Sequence, residues 1–276
     1  MHPDTYAHCF YFCPANHAIE SEHVQDTQDL ITDDLQDKIE EYPCLWLRGI
    51  LPLELVPVPE HALPPKELAA QFSSSGSVEP QDQWGSGTYF GDASGGANNM
   101  YPSIRRCGCG LVFPDSNGSP LYSANFNLPG KIQTVARAEL FVLVYLMRIA
   151  QRSSCIHFVT DNLKNSETFN KGPEHADNTI NRDLFSEIFK LVSGKSISLT
   201  VSWMPSHQDK KDPSEWPSFL TQNMVKANKA ADEEAEKAAI RHEVPINVST
   251  PIKFYNGLVK KIQLRLASII LALPAR

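Results

Sequence analysis

Four carboxylates stand at positions where a fold could bring them together. Asp92 and Asp161 each end a strand-like segment, Glu139 lies near the start of an apolar helical segment, and Asp232 lies in an alanine-rich one. Functional groups of α/β proteins gather at strand ends and at the adjoining helix starts. Clustered carboxylates repel one another and suit Mg²⁺ or Mn²⁺, which prefer oxygen ligands. Two such ions can support hydrolysis at phosphorus.

Glu139 is the most informative of the four, because the helical residues that follow it are nearly all apolar. A charge in such a helix costs several kcal/mol to desolvate unless a cation compensates it. Taken alone, an aspartate at a strand end is more often a turn former or a helix cap. Glu139 alone could also pair with Arg137 or Arg148. The combination of all four, in this order, favours a metal site.

Residue periodicity predicts the elements that would position these groups. Strands are predicted over 88–92, 107–113, 121–128, 156–160 and 196–204. Helices are predicted over 133–151, 181–192 and 226–241. This order predicts an α/β fold with a mixed five-stranded sheet, three antiparallel strands and then parallel ones, with helices on both faces.

The net charge of −7 over 276 residues is unevenly distributed. Residues 1–83 carry 15 acidic and 3 basic side chains, whereas residues 244–276 carry five basic and no acidic ones. Prolines and a serine-rich stretch over 73–77 predict that 1–83 is largely irregular, with a flexible spacer before the domain. We therefore expect a folded domain over 84–243 and a basic amphipathic helix over 244–276. Docking of that helix on protein is the commoner outcome, and binding to a membrane surface is the alternative.

Composition and targeting features exclude several classes. Hydrophobic residues make up 42% and charged residues 21% of the chain, which excludes wholesale disorder. No run of 18 apolar residues is present, so no membrane span is expected. The start lacks the pattern of a secretory signal, so we expect an intracellular protein, nuclear or cytoplasmic and not secreted, with its six cysteines reduced.

Five short motifs resemble ribonuclease H of the cellular and retroviral type, over about residues 84–243. They are, in chain order, Thr88-Tyr89-Phe90-Gly91-Asp92-Ala93-Ser94, Arg137-Ala138-Glu139-Leu140, Thr160-Asp161-Asn162, Trp203-Met204-Pro205-Ser206-His207 and Asn228-Lys229-Ala230-Ala231-Asp232. Each motif alone has low specificity. Their order and their placement on the predicted elements make the resemblance specific.

The resemblance implies an enzyme that hydrolyses the RNA strand of RNA–DNA hybrids and leaves 5′-phosphate and 3′-hydroxyl ends. Two Mg²⁺ ions, or Mn²⁺, would be held by the four carboxylates Asp92, Glu139, Asp161 and Asp232. His207 would lie on a mobile loop beside the metals and help to protonate or release the product, and an ordinary exposed loop histidine is the alternative.

The resemblance also implies a set of substrate contacts. The residues concerned are Ser94, Thr134, Arg137 and Asn228. Thr134 matches a family threonine that contacts a DNA phosphate, and Asn228 matches an asparagine near the scissile strand. Both could equally be helix caps.

Two departures from the family pattern leave an alternative open. Val135 and Ala136 stand where the family has amide side chains that reach the minor groove of the hybrid, and neither can hydrogen-bond. The segment 208–225 is longer than usual and could be a substrate-contacting loop or a solvated insertion. The alternative is therefore a catalytically weak or inactive module with a structural or nucleic-acid-binding role.

The first residues suggest a genomic context. His8 and Cys13 resemble half of the zinc-binding segment that follows reverse transcriptase in non-LTR retrotransposons. Two ligands cannot complete a tetrahedral zinc site, so we expect at most a remnant of one, and chance is the alternative. On this interpretation the chain belongs to a retroelement polyprotein, with a reverse transcriptase domain as a partner.

Overall fold

The computed structural model describes residues 5–56, 65–75 and 84–273. The chain divides into a sheet unit, residues 62–244, and a helical unit, residues 1–61 and 245–276. In the described ranges the strands are β1 (Gln71–Ser74), β2 (Gly87–Ser94), β3 (Gly108–Pro114), β4 (Pro120–Asn127), β5 (Cys155–Thr160) and β6 (Ser198–Trp203). The α-helices of the same ranges are α1 (Glu22–Gln25), α2 (Leu35–Glu41), α3 (Pro43–Arg48), α4 (Val135–Ile149), α5 (Leu163–Asn170), α6 (Pro173–Ala176), α7 (Arg182–Lys195), α8 (Gln222–Arg241) and α9 (Ile246–Ala272).

The strands form one sheet in the order β1-β4-β3-β2-β5-β6. The pairs from β1 to β2 are antiparallel, and β5 is parallel to both β2 and β6. The predicted α/β fold, with antiparallel strands followed by parallel ones, is confirmed. Because β2 and β5 are parallel neighbours, their carboxyl ends meet at the same edge of the sheet.

The prediction of five strands is wrong by one, because β1 adds a sixth at the edge. β1 overlaps the serine-rich stretch that was expected to be a flexible spacer, and Gln71 pairs with Asn125 of β4. The segment has no apolar alternation, yet an edge strand needs only the free backbone groups of its neighbour. The ring of Phe72 also lies 6.3 Å from that of Trp84, measured between centroids.

The expected domain start at residue 84 is therefore too late. The compact unit begins at residue 62, and residues before β1 are bound to it as well. Glu67 forms an ion pair with Arg148 at 2.8 Å, and the Leu68 amide donates to the Asn127 side chain at 3.1 Å. Contacts between residues this far apart in sequence leave no local pattern in the sequence.

Helix α8 lies against one face of the sheet and approaches it closely. A Cβ atom on Gly110 of β3 would lie 2.0 Å from the carbonyl oxygen of Ala231, and one on Gly108 would lie 2.2 Å from that of Ala235. The buried helix positions opposite are small, namely Ala227, Ala231, Ala235, Ala238 and Ala239. Glycine on the strand and alanine on the helix therefore let the two backbones meet.

Helix α4 covers the opposite face and forms the larger core. A Cβ on Gly91 of β2 would collide with Phe158 and Val142, and the Cys109 thiol donates to the Ala138 carbonyl at 3.5 Å. Nearly the whole circumference of α4 is buried, as its apolar sequence predicts. Helices thus lie on both faces, in agreement with the prediction.

The helical unit has its own core, with Arg265 of α9 at its centre. This side chain is 0% exposed and donates to the carbonyls of Phe10 and Val24 and to the Thr27 hydroxyl at 2.9–3.1 Å. Its guanidinium also lies over the Tyr11 ring, 5.5 Å from the centroid. Apolar residues of α1–α3 pack against α9 around it.

The expectation that residues 1–83 are largely irregular is corrected by these contacts. Residues 8–48 contain α1, α2, α3 and short π and 3₁₀ turns, and their buried side chains face a helix more than 200 positions away. That partner cannot be recognised from the local acidic pattern. The helix predicted over 244–276 is α9. In the described ranges no helix is long and apolar enough to cross a membrane.

Candidate metal centre

Strand register brings Asp92 and Asp161 together. Gly91 of β2 pairs with Thr160 of β5, and each aspartate is the next residue along its chain. The indole N–H of Trp203 donates to the Asp161 carbonyl at 3.0 Å, which fixes the backbone just past the end of β5. Asp92 is 7% exposed, and its carboxylate accepts a hydrogen bond from the Ala93 amide at 2.7 Å.

Glu139 reaches the same point from α4. Thr134 caps this helix, since its hydroxyl accepts a hydrogen bond from the Arg137 amide at 3.3 Å. Glu139 is the fifth residue of the helix and only 8% exposed. One carboxylate oxygen each from Asp92, Glu139 and Asp161 lies within 4.8 Å of the others. Convergence was predicted for four carboxylates, and among the described residues this group contains three of them, without Asp232.

Burial and mutual repulsion raise the pKa values of this cluster. Desolvation, followed by repulsion from Asp161, raises the pKa of Asp92 to about 9 and that of Glu139 to about 8. Desolvation also raises the pKa of Asp161, while the nearby His207 opposes the rise. Asp92 and Glu139 are buried and hard to ionise, so they need a cation to become carboxylates at neutral pH.

The donor set fits a hard divalent cation. All three ligand groups are carboxylates, which Mg²⁺ and Mn²⁺ prefer. Among the described residues, Glu139 Oε2 is buried without a hydrogen-bond partner. A buried carboxylate oxygen left unpaired is costly in a protein interior, and a metal ion would satisfy it.

Asp232 of α8 approaches the cluster from the other face of the sheet. It lines a small pocket with Asp92, His207 and Asn228, and its charge raises the pKa of both Asp92 and Asp161. Asn228 lies one helical turn before Asp232 and is buried. The close approach of α8 to β3 accounts for this placement. Gly110 is paired with Asp92, and the carbonyl of Ala231, the residue before Asp232, occupies the space where a Gly110 side chain would lie.

The other three residues predicted to contact substrate differ in their exposure and in their hydrogen-bond partners. Ser94 is half-buried, and its hydroxyl accepts a hydrogen bond from the Gly96 amide at 3.2 Å. Thr134 is exposed and forms the helix cap, which was the alternative reading of that residue. Arg137 is engaged in a two-pronged ion pair with Asp183 and a hydrogen bond to Asn181 at 3.2 Å.

Two site residues were not singled out by sequence reasoning. Asn162 hydrogen-bonds to the Glu139 carboxylate, which opposes the rise in its pKa, and also caps α5 by accepting from the Asn165 amide at 2.9 Å. Trp203 orients Asp161 through the hydrogen bond described above. Asn162 and Trp203 both belong to motifs quoted for the resemblance. Their membership of those motifs is the sequence signal that could have identified them.

The pair expected to be a zinc remnant does not assemble a site. His8 begins a π-helical turn, and Cys13 follows it. In the parts of the chain that the structure describes, neither residue belongs to a cluster of three or more metal-ligating side chains.

No family model matches the chain, and no curated protein matches it. Among solved structures, it is similar to an RNase H1 isolated from compost by a metagenomic approach, with 15% identity and a TM-score of 0.39, over 56% of this chain and 95% of that one. The PFV RNase H domain gives 16% identity and a TM-score of 0.42, over 56% of this chain and 94% of that one. The compost RNase H1 in complex with an RNA/DNA hybrid gives 13% identity and a TM-score of 0.39, over 56% and 96%. With TM-scores this low, function has to be argued from the site itself.

Proposed function

We propose that the sheet unit is a divalent-metal-dependent endonuclease that hydrolyses the RNA strand of RNA–DNA hybrids. The observation that carries this proposal is the convergence of Asp92, Glu139 and Asp161 within 4.8 Å, with one Glu139 oxygen left unpaired. Asp232 adds a fourth carboxylate from the opposite face of the sheet. Two Mg²⁺ ions, or Mn²⁺, match this all-oxygen set.

The raised pKa values support a functional rather than a structural role for the cluster. Desolvated acids that repel one another destabilise a fold, and the described residues offer the cluster no lysine or arginine as an ion-pair partner. Strongly perturbed carboxyl groups in a concave site are typical of catalytic centres. Divalent ions bound here would supply the Lewis acidity that makes water a nucleophile and stabilises a leaving oxygen.

The side chains around the cluster have complementary tasks. Asp92, Glu139 and Asp161 bind the cations, and Asn162 and Trp203 hold Glu139 and Asp161 in place. His207 lines the same pocket as Asp92 and Asp232, where its imidazole can deliver a proton to the departing 3′ oxygen. Asn228 is buried beside Asp232 with Oδ1 unpaired among the described residues, which supports its proposed contact with the scissile strand.

Thr134 and Ser94 are proposed to contact the hybrid, with the exposed Thr134 hydroxyl at the positive end of α4 as a phosphate ligand. Arg137 is proposed to act on substrate only indirectly, because its guanidinium is occupied by Asp183. We also propose an intracellular retroelement setting in which a reverse transcriptase domain supplies the hybrid. The sequence over His8–Pro14 is what supports that setting.

One observation favours a second candidate, a nucleic-acid-binding module without catalysis. At the start of α4, Ala136 is exposed and Val135 is half-buried against the core, and neither offers a hydrogen-bonding side chain to a minor groove. Weak recognition of the hybrid is compatible with such a module. The cost of keeping four acids together opposes it.

The test is cleavage of an end-labelled RNA–DNA hybrid by the full chain with Mg²⁺ and with EDTA. Wild-type protein should cleave only with the metal, and Asp92→Asn should lower kcat by at least about a hundred-fold, since the lost ligand affects several kcal/mol of transition-state stabilisation. Asp177→Asn, an exposed aspartate of the same unit, is the matched control and should cleave like wild type. A folded wild-type protein that binds the hybrid without cutting it would establish the second candidate instead.

A further inference from the structure

The segment that follows His207 is folded and tied to the core, although a solvated insertion was one of the two expectations for residues 208–225. It contains two 3₁₀ turns, Gln208–Lys210 and Pro213–Glu215, and then enters α8. We propose that Trp216 is a positioning residue that holds the imidazole of His207 beside the carboxylates, acting through Gln208. This inference rests on the proposed nuclease function and deepens it.

The backbone at His207 needs such support. Its φ of 53° and ψ of 36° place it in the left-handed region, which costs a residue other than glycine free energy unless its surroundings impose it. Gln208 is 3% exposed, and its side-chain amide donates to the Ser206 carbonyl at 2.9 Å. This hydrogen bond spans His207 and closes a small loop around it.

Trp216 fixes the other side of that loop. Its indole N–H donates to the Gln208 carbonyl at 3.0 Å, and its ring packs on the core cluster under α8. That cluster includes Phe90 and Met204. Phe90 is two residues before Asp92 on β2, and Met204 is three residues before His207. The core cluster that contacts Trp216 is therefore close in sequence both to Asp92 and to His207.

This arrangement differs from the mobile histidine loop that the family resemblance implies. A preorganised imidazole does not have to be ordered during each turnover, so the effect of Trp216 should appear in the chemical or product-release step rather than in substrate binding. His207 is exposed, which leaves it accessible to substrate. Trp216 itself does not line the pocket that holds Asp92, His207 and Asp232.

The experiment is a double-mutant cycle on hybrid cleavage, with Trp216→Phe and His207→Ala separately and together. Phenylalanine keeps most of the ring packing and removes the N–H donor. Trp216→Phe should lower kcat about five-fold, the effect of one hydrogen bond, with KM nearly unchanged. In the His207→Ala background it should cause no further loss, because the residue it positions is absent. A tryptophan with a purely structural role would lower kcat by the same factor in both backgrounds, and that result would overturn the inference.

Two further variants keep the cycle interpretable. Gln208→Met removes the amide that spans His207 while keeping a side chain of similar length, and it should show the same dependence on His207. Ser214→Ala breaks a hydrogen bond of the same insert, 2.6 Å from the Ser214 hydroxyl to Asp212, without touching the histidine loop, and should leave kcat unchanged. If wild-type protein does not cleave the hybrid, the proposed function fails and this inference fails with it. If it cleaves and the effects are additive, only this inference fails.

Discussion

Asp92 and Asp161 are neighbours because Gly91 and Thr160, the residues before them, are paired across the parallel strands β2 and β5. The two carboxylates are thus placed by backbone hydrogen bonds rather than by mutual attraction, and after desolvation it is repulsion from Asp161 that raises the pKa of Asp92 and of Glu139. The strand pairing therefore holds acidic side chains together although they repel one another. The effect of this repulsion on the stability of the protein can be measured without any nucleic acid.

Glu139→Gln should stabilise the metal-free protein. Burial raises the pKa of Glu139 to about 8, so ionising it in the fold costs free energy that an amide of the same shape does not incur. In EDTA at pH 8 we expect the free energy of unfolding to rise on the order of 1–3 kcal/mol, which is a few degrees in Tm.

Glu233→Gln, on the exposed side of α8, is the matched control and should leave Tm unchanged. Added Mg²⁺ should raise the Tm of wild type and not that of Glu139→Gln. A fall in Tm for Glu139→Gln in EDTA would contradict the account of the site.

The stability of the metal-free protein should fall as the pH rises. The pKa values of Asp92 and Glu139 in the fold, about 9 and about 8, lie above the ordinary values of 3.8 and 4.5, so the folded state binds more protons than the unfolded state. The contribution of these groups is fully present below about pH 4 and is lost as the pH rises to about 9. Urea unfolding in EDTA at a series of pH values measures the slope. Saturating Mg²⁺ should flatten it, because the cation favours the ionised forms, and an identical slope with and without Mg²⁺ would argue against metal binding.

Gly110→Ala should destabilise the sheet unit and reduce cleavage. The added methyl would lie 2.0 Å from the Ala231 carbonyl oxygen, so α8 would have to move away from β3 and carry Asp232 with it. Overpacking of this kind typically costs about 1–3 kcal/mol. Gly194→Ala is the matched control, because that glycine lies in α7 with open space around it. A methyl there should stabilise the helix by about 0.5–1 kcal/mol. Equal Tm shifts of the two variants would show that the glycine–alanine contact is unimportant.

Local patterns in the sequence were sufficient for the elements that build the site. The apolar circumference of α4 and the strand ending at Asp92 were predicted from their residues, and the three converging acids followed from their positions on those elements. The packing of α8 on Gly110 left a weaker signal in the sequence, namely a glycine in a strand and an alanine-rich helix. That signal can be interpreted only once it is known that this strand and this helix are in contact.

Long-range partners account for what the sequence did not reveal. Strand β1 forms because β4 has a free edge, and the acidic first segment folds because α9 places Arg265 among its carbonyls. Neither partner leaves a trace in the local periodicity of the segment it orders. The fold around His207 was not predicted for a different reason: the hydrogen bond from Trp216 to the Gln208 carbonyl lies within an irregular segment that has no helical or strand periodicity.

Ala136→Gln should tighten binding of the hybrid. Ala136 is exposed in the first turn of α4, close in sequence to Glu139, and its carbonyl already accepts a hydrogen bond from Asn165 at 2.8 Å, so its side chain is free to change without loss of that contact. An amide there could donate to the 2′-hydroxyl and base edges of the minor groove. We expect the Kd for an RNA–DNA hybrid to fall about five-fold at fixed salt, the effect of one added hydrogen bond, and the Kd for duplex DNA to change less.

Ala267→Gln, an exposed position on α9, is the control for nonspecific effects. Fluorescence anisotropy in Ca²⁺, which supports binding without the geometry Mg²⁺ demands, measures both constants. An unchanged Kd for the hybrid would mean that the surface at Ala136 does not face the groove, and the proposed orientation of substrate on α4 would have to be abandoned.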